Sequence, residues 1–363
     1  MNHPIVIIGA GLSGLHAASL LTARGIECKL LEAKCRIGGR MLSTRDSNRA
    51  DLGVFDLGST WFWPEYEKSI AKLTETLHLD TIPQYIKGAM LAERVQNNPP
   101  ERHVLNQNPY AGAFRFAGGI QSLTEALVKS IPSGVIELET KVETIQLDDN
   151  DSITVKAIYA GSEEKELHAS HVILALPPRI VAKHINFTPS LPSHLTTNLI
   201  SKPTWMAGQA KVIAIYERPF WRDLDLSGFA NSWVGPLQEI HDASPKTGSG
   251  ALFGFYGIPA KARQELGKDR VIEMAIAQLV RLFGPDAHNV SAILYKDWAS
   301  EPETGVEEDL EPLRFFPSYG RPPQADVWEN KIIFAGSESN SQFGGHLEGA
   351  VQSAEQAVQK IIN

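Results

Sequence analysis

Four consecutive apolar residues, Ile5 to Ile8, open the chain. An unbroken run of that kind predicts a parallel strand buried on both faces. Gly9, Gly11 and Gly14 follow, Leu15, Ala18, Leu20 and Leu21 continue at helical spacing, and a second apolar run spans Glu27 to Leu31. Between residues 135 and 160 the pattern turns to alternation, and the Asp148-Asp149-Asn150-Asp151 turn inside it predicts hairpins. Short Val/Ile-rich strands are expected at 208–216 and 251–256, and a helix at 267–283 that Gly284-Pro285 ends. Near the C-terminus Ile332 to Phe334 reads as a strand and Gly336 as a turn. Leu347, Val351, Ala354, Val358 and Ile361 then share one helical face. Two polar stretches read as loops: Val95 to Gly112, rich in Pro and Asn, and Ala299 to Pro312, acidic and expected to be exposed.

One residue breaks this pattern. Successive side chains of a strand alternate faces, so Lys211 points the same way as Ile213 and Ile215. An unpaired ammonium on an apolar face is strongly unfavourable. Lys211 is either a stem packed on the sheet with its head in solvent, or a desolvated amine with a task.

Composition narrows the field. With 363 residues, 43% hydrophobic and 21% charged, the chain is long enough for two or three domains with sizeable cores. Its net charge of −8 is spread without a basic run, which argues against nucleic acid or an anionic membrane surface as partner. No apolar stretch approaches the 18 or so residues of a spanning helix. The first strand begins at Ile5, leaving no room for a leader, and there are only two cysteines, Cys28 and Cys35. A cytoplasmic protein is the expectation. The eleven histidines show no metal-ligand spacing, so no metal is expected.

The first forty residues carry the strongest motif. Gly9 permits the tight turn, Gly11 lets the backbone approach a pyrophosphate, and Gly14 lets the helix pack on the strand. The helix N-terminus offers free N–H groups and positive dipole to that pyrophosphate. Glu32, 18 residues beyond Gly14, is placed to accept hydrogen bonds from a ribose. The motif does not separate NAD from FAD. The next segment, CRIGGR from Cys35 to Arg40, adds two arginines able to fork onto phosphate, or else forms a basic surface turn.

Here the chain resembles the flavin-containing amine oxidases, the monoamine and polyamine oxidase superfamily. IVIIGAGLSGLHAA…LLEAKCRIGGR is similar to that family's N-terminal FAD motif, with Cys35 in place of a more usual acid. FDLGSTWF (55–62), FAGGIQSLTEAL (116–127) and VILALPP (172–178) resemble further family segments, and IIFAGSESNSQFGGHLEGAVQSAEQAVQKII resembles its C-terminal signature. The resemblance implies an α/β fold: a Rossmann-type, glutathione-reductase-like FAD domain with a discontinuous, reduced α+β substrate domain. FAD-domain segments are expected at 1–78, 116–190 and 325–363, and substrate-domain segments at 79–115 and 191–324.

It further implies cofactor contacts at Gly9, Gly11, Gly14, Glu32, Ala33, Gly39, Arg40, Gly58, Ser59, Val142, Gly336, Ser337, Glu338 and Leu347. Glu338 would meet the ribityl or phosphate region, and Gly349 would permit close approach of something bulky. Lys211 falls where the family places a catalytic lysine that holds a water beside flavin N5. The implied reaction takes an amine to an imine, hydrolysed to a carbonyl compound, with oxygen reduced to hydrogen peroxide.

Three departures follow. EDLEPLRFFP has no cysteine where monoamine oxidases tether FAD, so noncovalent binding is expected. Of the two tyrosines that flank the substrate nitrogen, one position falls at His346 and the other near Glu311 or Pro312. Trp61, Phe255, Trp298, Phe343 and His346, with Trp63 and Tyr256, are the candidates to rebuild that cage. Finally, only 51 residues separate STWFWP from FAGGI, implying a more open site, a larger substrate or a partner that completes the lid. The alternatives are therefore an FAD-dependent desaturase or other carbon–carbon oxidoreductase on the same scaffold, and a flavin-binding redox sensor without turnover. The expected partners are a small-molecule amine and molecular oxygen; a homo-oligomer is admitted.

Overall fold

The computed structural model describes residues 3–96, 98–313 and 315–363. A five-stranded parallel sheet runs in the order Ile332–Phe334, His171–Leu174, Ile5–Ile8, Cys28–Leu31, Ile136–Glu137. Ile5 to Ile8 pair with Cys28 to Leu31 on one side and His171 to Leu174 on the other. Ile5 and Ile7 face the helices Leu12–Thr22 and Leu347–Ile362, packing with Leu15, Leu21 and Val351. Val6 and Ile8 face a four-stranded sheet through Ile145 and Val155. Burial on both faces is why the run contains no polar residue.

The expected hairpin segment divides. Ile136–Glu137 joins the parallel sheet beside Leu30 and Leu31 rather than the meander. Thr140–Leu147 and Ile153–Tyr159 form the hairpin, with a register shift between Val142 and Thr144, and Glu163–Ala169 extends it.

A seven-stranded sheet holds the second core. Its order is Ala292–Asp297, Ala210–Tyr216, Gly250–Tyr256, Leu237–Asp242, Leu226–Ser232, Ala89–Glu93, Glu101–His103. The helix Lys268–Phe283 covers one face, where Val271, Ala275 and Leu279 meet Val212, Ala214 and Tyr216. The other face turns toward the nucleotide side, and Ile213, Ile215 and Phe253 pack there with Leu52, Phe55 and Leu57.

Both polar stretches differ from expectation. Within Val95 to Gly112, Glu101–His103 forms an edge strand paired to Ala89–Glu93, although its side chains are all exposed. Backbone pairing at a sheet edge needs no apolar residue, so hydropathy does not reveal it. The segment from Ala299 to Pro312 is not an exposed loop: Thr304, Val306 and Asp309 are buried. Three of its acids are committed to cations on the nucleotide side and the sheet, whereas Glu307, Glu308 and Glu311 are exposed. Glu301 pairs with Lys34 and Lys296, Glu303 with Lys141 at 2.8 Å, and Asp309 with Arg179. Asp309 also accepts from the Thr204 and Val306 N–H groups, both at 3.0 Å.

Candidate active site

A cavity of about 860 Å³ lies between the parallel sheet and the seven-stranded sheet. Volumes of that size bury ligands with most of their surface.

At its nucleotide end lie Gly9, Gly11, Glu32, Ala33, Gly39, Arg40 and Val142. Gly9 has φ +101°, and a Cβ there would meet Ala175 O at 2.7 Å. A Cβ on Gly11 would meet nothing within 4 Å, because that position faces the cavity itself. Gly11 is also the N-cap of Leu12–Thr22 and gives it no side-chain cap, which leaves helix N–H groups for a ligand. Gly14 does not line the cavity. A Cβ there would lie 1.9 Å from Gly9 O, so its task is packing of helix on turn. Glu32 accepts from Ala10 N at 2.7 Å and Lys34 N at 3.0 Å, and burial raises its pKa.

The arginines of CRIGGR part company. Arg36 folds back on the carbonyls of Ile37, Gly39 and Met41 and does not reach the cavity. Arg40 lines it, donating to Glu338 at 2.6 and 3.0 Å and to Ser337 at 3.0 Å. Glu338 is fully buried and outside the cavity wall, which corrects its expected role as a direct contact. Burial opposes its charge, but Arg40 and Ser337 hold its pKa below the ordinary value. Gly58, Ser59, Gly336, Ser337 and Leu347 complete the wall. Gly349 makes no room for a ligand: its Cβ would strike Phe343 O at 2.1 Å, the backbone of its own turn.

At the other end sits Lys211, 2% exposed. Its Nζ donates to Thr60 Oγ1 at 2.6 Å and Gly58 O at 3.2 Å, and lies 4.1 Å from the Phe253 ring centre. Among the described residues no carboxylate pairs with it, and burial brings its pKa down to about 7. The head does not reach solvent, so the stem-on-the-sheet alternative fails.

Around it, Trp61, Trp63, Phe255, Tyr256 and Trp298 line the cavity. Trp298 is pinned by its Nε1–H on Leu57 O at 3.0 Å. Phe343 is not part of the wall, because the turn at Asn340 holds it away; that expectation is corrected. His346 is exposed at the mouth, with Nδ1 3.5 Å from Glu67.

Three residues of this end escaped the sequence reading: Tyr110, Glu239 and His241. Tyr110 lies 4.8 Å from Trp61 and 4.4 Å from His241, ring centre to ring centre, and its hydroxyl donates to Glu239. His241 Nε2 lies 2.6 Å from the same carboxylate. Burial would raise the Glu239 pKa, but these two partners bring it below the ordinary value, while burial lowers that of His241. Alternation of Glu239 and His241 about buried Ile240 was the available signal. Tyr110, inside a Pro/Asn-rich stretch, had none.

The wall also carries unmet polar groups. Ser59 Oγ, Thr204 Oγ1 and His184 Nδ1 are buried without a hydrogen-bond partner, and all three residues line the cavity. Buried polar atoms are nearly always satisfied, so a polar, elongated ligand fits this wall. Among the described residues no cluster suited to a metal ion occurs, and no helix is long and apolar enough to cross a membrane.

Comparison with known proteins bears on this geometry. The family described as "Flavin containing amine oxidoreductase" matches residues 83–362, and an NAD(P)-binding Rossmann-like domain matches residues 7–77. Mouse amine oxidase [flavin-containing] B is 24% identical over 465 aligned positions, covering 99% of this chain and 86% of that one. Putrescine oxidase of Kocuria rosea is 22% identical over 487, covering 100% and 95%. The solved structure of cyclohexylamine oxidase from Brevibacterium oxydans superposes with a TM-score of 0.83 at 20% identity, covering 99% of each chain.

Proposed function

We propose, from the premise that this chain belongs to the flavin containing amine oxidoreductases, that it binds FAD noncovalently and oxidises a small amine at the expense of oxygen. The observation that carries this reading is Lys211: a buried, hydrogen-bonded amine without a counter-ion, placed where the aromatic end of the cavity meets the Gly58–Thr60 turn.

Gly9, Gly11 and the N-terminus of Leu12–Thr22 would hold the pyrophosphate, and Glu32 the adenosine ribose. Ser59 Oγ and Thr204 Oγ1 would find there the partners they lack. Arg40, held by Glu338, brings positive charge to the middle of the cavity. Neither Cys28 nor Cys35 lines the wall, which supports an untethered cofactor. When bound, FAD supplies the two-electron acceptor for the substrate's C–H bond.

The residues then divide the work. Trp61, Tyr110 and Phe255 exclude water and hold an apolar amine body, whereas the Tyr256 ring turns to the helix side and donates to Val271 O at 3.0 Å. Glu239, the carboxylate beside Tyr110 at this end, accepts hydrogen bonds from a substrate nitrogen. The oxidised carbon–nitrogen bond is hydrolysed by water to a carbonyl compound and ammonia or a smaller amine. With its pKa brought by burial to about 7, Lys211 exchanges a proton near neutrality, as the reduction of oxygen to hydrogen peroxide requires. Putrescine oxidase and cyclohexylamine oxidase, both similar to this chain, are named for amines, which supports the substrate class.

The test is the visible spectrum of the anaerobic holoenzyme mixed with a panel of primary, secondary and polyamines. Bleaching of the flavin band by one amine class is expected. A yellow protein that no amine bleaches, but that alkenes or ring systems do, would contradict the amine reading and select the desaturase alternative.

A further inference from the structure

Behind Lys211, on the side away from the large cavity, lies a second and much smaller chamber of about 10 Å³. Its wall includes Asp56, Thr60, Arg115 and Phe253. Thr60 borders both spaces, and its hydroxyl is the group that accepts from Lys211 Nζ. The smaller chamber has room for about one water, and a buried water needs two to four polar partners.

Such partners are present. Arg115 is 7% exposed, and its Nη2 donates to Ser244 O at 2.8 Å. Its Nε–H is buried with no partner, an arrangement that leaves the desolvation of a charged donor uncompensated. Asp56 accepts at Oδ1 from Ile120 N and Ser43 Oγ, both at 2.7 Å; burial raises its pKa, and these bonds with Lys211 and Arg115 oppose that rise. Neither side chain reaches the large cavity. Nothing in amine chemistry requires a buried arginine and a carboxylate beyond its wall.

We propose that one buried water occupies this chamber and ties the Arg115 Nε–H and the Asp56 carboxylate to Thr60, making Asp56 and Arg115 the positioning pair that sets the proton affinity of Lys211. The two charges act on Lys211 in opposite senses. Asp56 favours the ammonium, Arg115 favours the free amine, and burial favours the amine further. The other charged groups around Lys211 leave this pair in control. His241 and Glu239, on Leu237–Asp242, are hydrogen-bonded to each other. Lys296, opposite Lys211 on Ala292–Asp297, is ion-paired with Glu301. From Gly250–Tyr256 only the rings of Phe253 and Phe255 approach.

The inference concerns a residue that the proposed oxidation uses, yet its test does not depend on turnover. Holoenzyme carrying lysine labelled with carbon-13 at Cε is titrated by NMR, and Lys211→Met identifies the Lys211 resonance. Asp56→Asn is expected to lower the Lys211 midpoint by about one pH unit, and Arg115→Met to raise it by about as much, the range for a single nearby charge. A crystal structure of the holoenzyme is expected to show a water against Arg115 Nε. If Arg115→Met does not fold, Arg115→Gln, which keeps a donor and loses the charge, carries the same test. Midpoints that stay at the wild-type value, or that move the same way in both variants, would overturn the proposal. Failure of the protein to oxidise amines would leave these titrations unchanged, so the two readings fall separately.

Discussion

The two ends of the large cavity are built by different means. The nucleotide end comes largely from one contiguous stretch, Ile5 to Arg40, in which a strand, a turn, a helix and a second strand follow one another. Its main constraints are backbone ones, such as the positive φ of Gly9 and the 1.9 Å approach that only glycine tolerates at position 14. The aromatic end is assembled from Trp61, Tyr110, Lys211, Glu239 and Phe255, drawn from five separated segments. There the constraints are side-chain ones: a buried amine on Thr60, and a carboxylate shared by a tyrosine and a histidine. The first end is a general device for holding a dinucleotide, whereas in the function proposed above the second would decide what is oxidised.

That contrast can be broken or sharpened by substitution. The largest effect is expected at the seam between the ends. Arg40→Ala strands the buried Glu338 carboxylate, and losing one partner of a buried pair destabilises by about 3–5 kcal/mol. Thermal unfolding together with flavin content checks this. A variant that keeps both would show that Glu338 is satisfied by the Ser337 hydroxyl at 2.8 Å and the Trp205 N–H at 3.2 Å.

A smaller effect, confined to the aromatic end, is expected from Glu239→Gln. Loss of a charged hydrogen-bond acceptor is worth about 1.5–3 kcal/mol, or roughly a 10- to 150-fold rise in KM for an amine, with flavin content unchanged. Steady-state kinetics on the amine that bleaches the flavin would show it. An unchanged KM would remove Glu239 from substrate binding.

A third effect is one of stability against pH. Burial depresses the Lys211 pKa to about 7 from 10.5, so between those values the unfolded chain binds this proton more tightly than the folded one. Native stability therefore gains with pH across that window. Lys211→Met lacks this slope, so its thermal midpoint is expected to exceed that of the wild type near pH 7, with the gap closing toward pH 10. A gap independent of pH would mean that Lys211 is charged in the fold.

Much of this was legible in the sequence, and unevenly so. Strand, glycine turn, helix and Glu32 lie in register with local periodicity, and local periodicity is what a single chain displays. Lys211 was found because it violates a pattern: an amine among Val212, Ile213 and Ile215 is conspicuous. Tyr110 violates none, since loop residues carry no periodicity, and the pairings of Glu101–His103 to Ala89–Glu93 and of Phe114–Phe116 to Thr81–Pro83 set where that loop runs. Three acids of 299–312 were misread for a related reason. A charge looks solvated in sequence until its partner, such as Lys34 or Arg179, is brought from elsewhere by the fold. Glu338 was assigned to the cofactor through the resemblance of the C-terminal signature, whereas its own side chain turns inward to Arg40.

The division of labour between the two ends is tested most directly by Lys211→Met in rapid mixing, with the two half-reactions followed separately. The account predicts that anaerobic reduction by amine stays within about a factor of two to three of wild type, while reoxidation by oxygen slows on the order of 10²-fold, the usual contribution of a placed proton-transfer group. Equal loss in both half-reactions, or reoxidation at the wild-type rate, would contradict it.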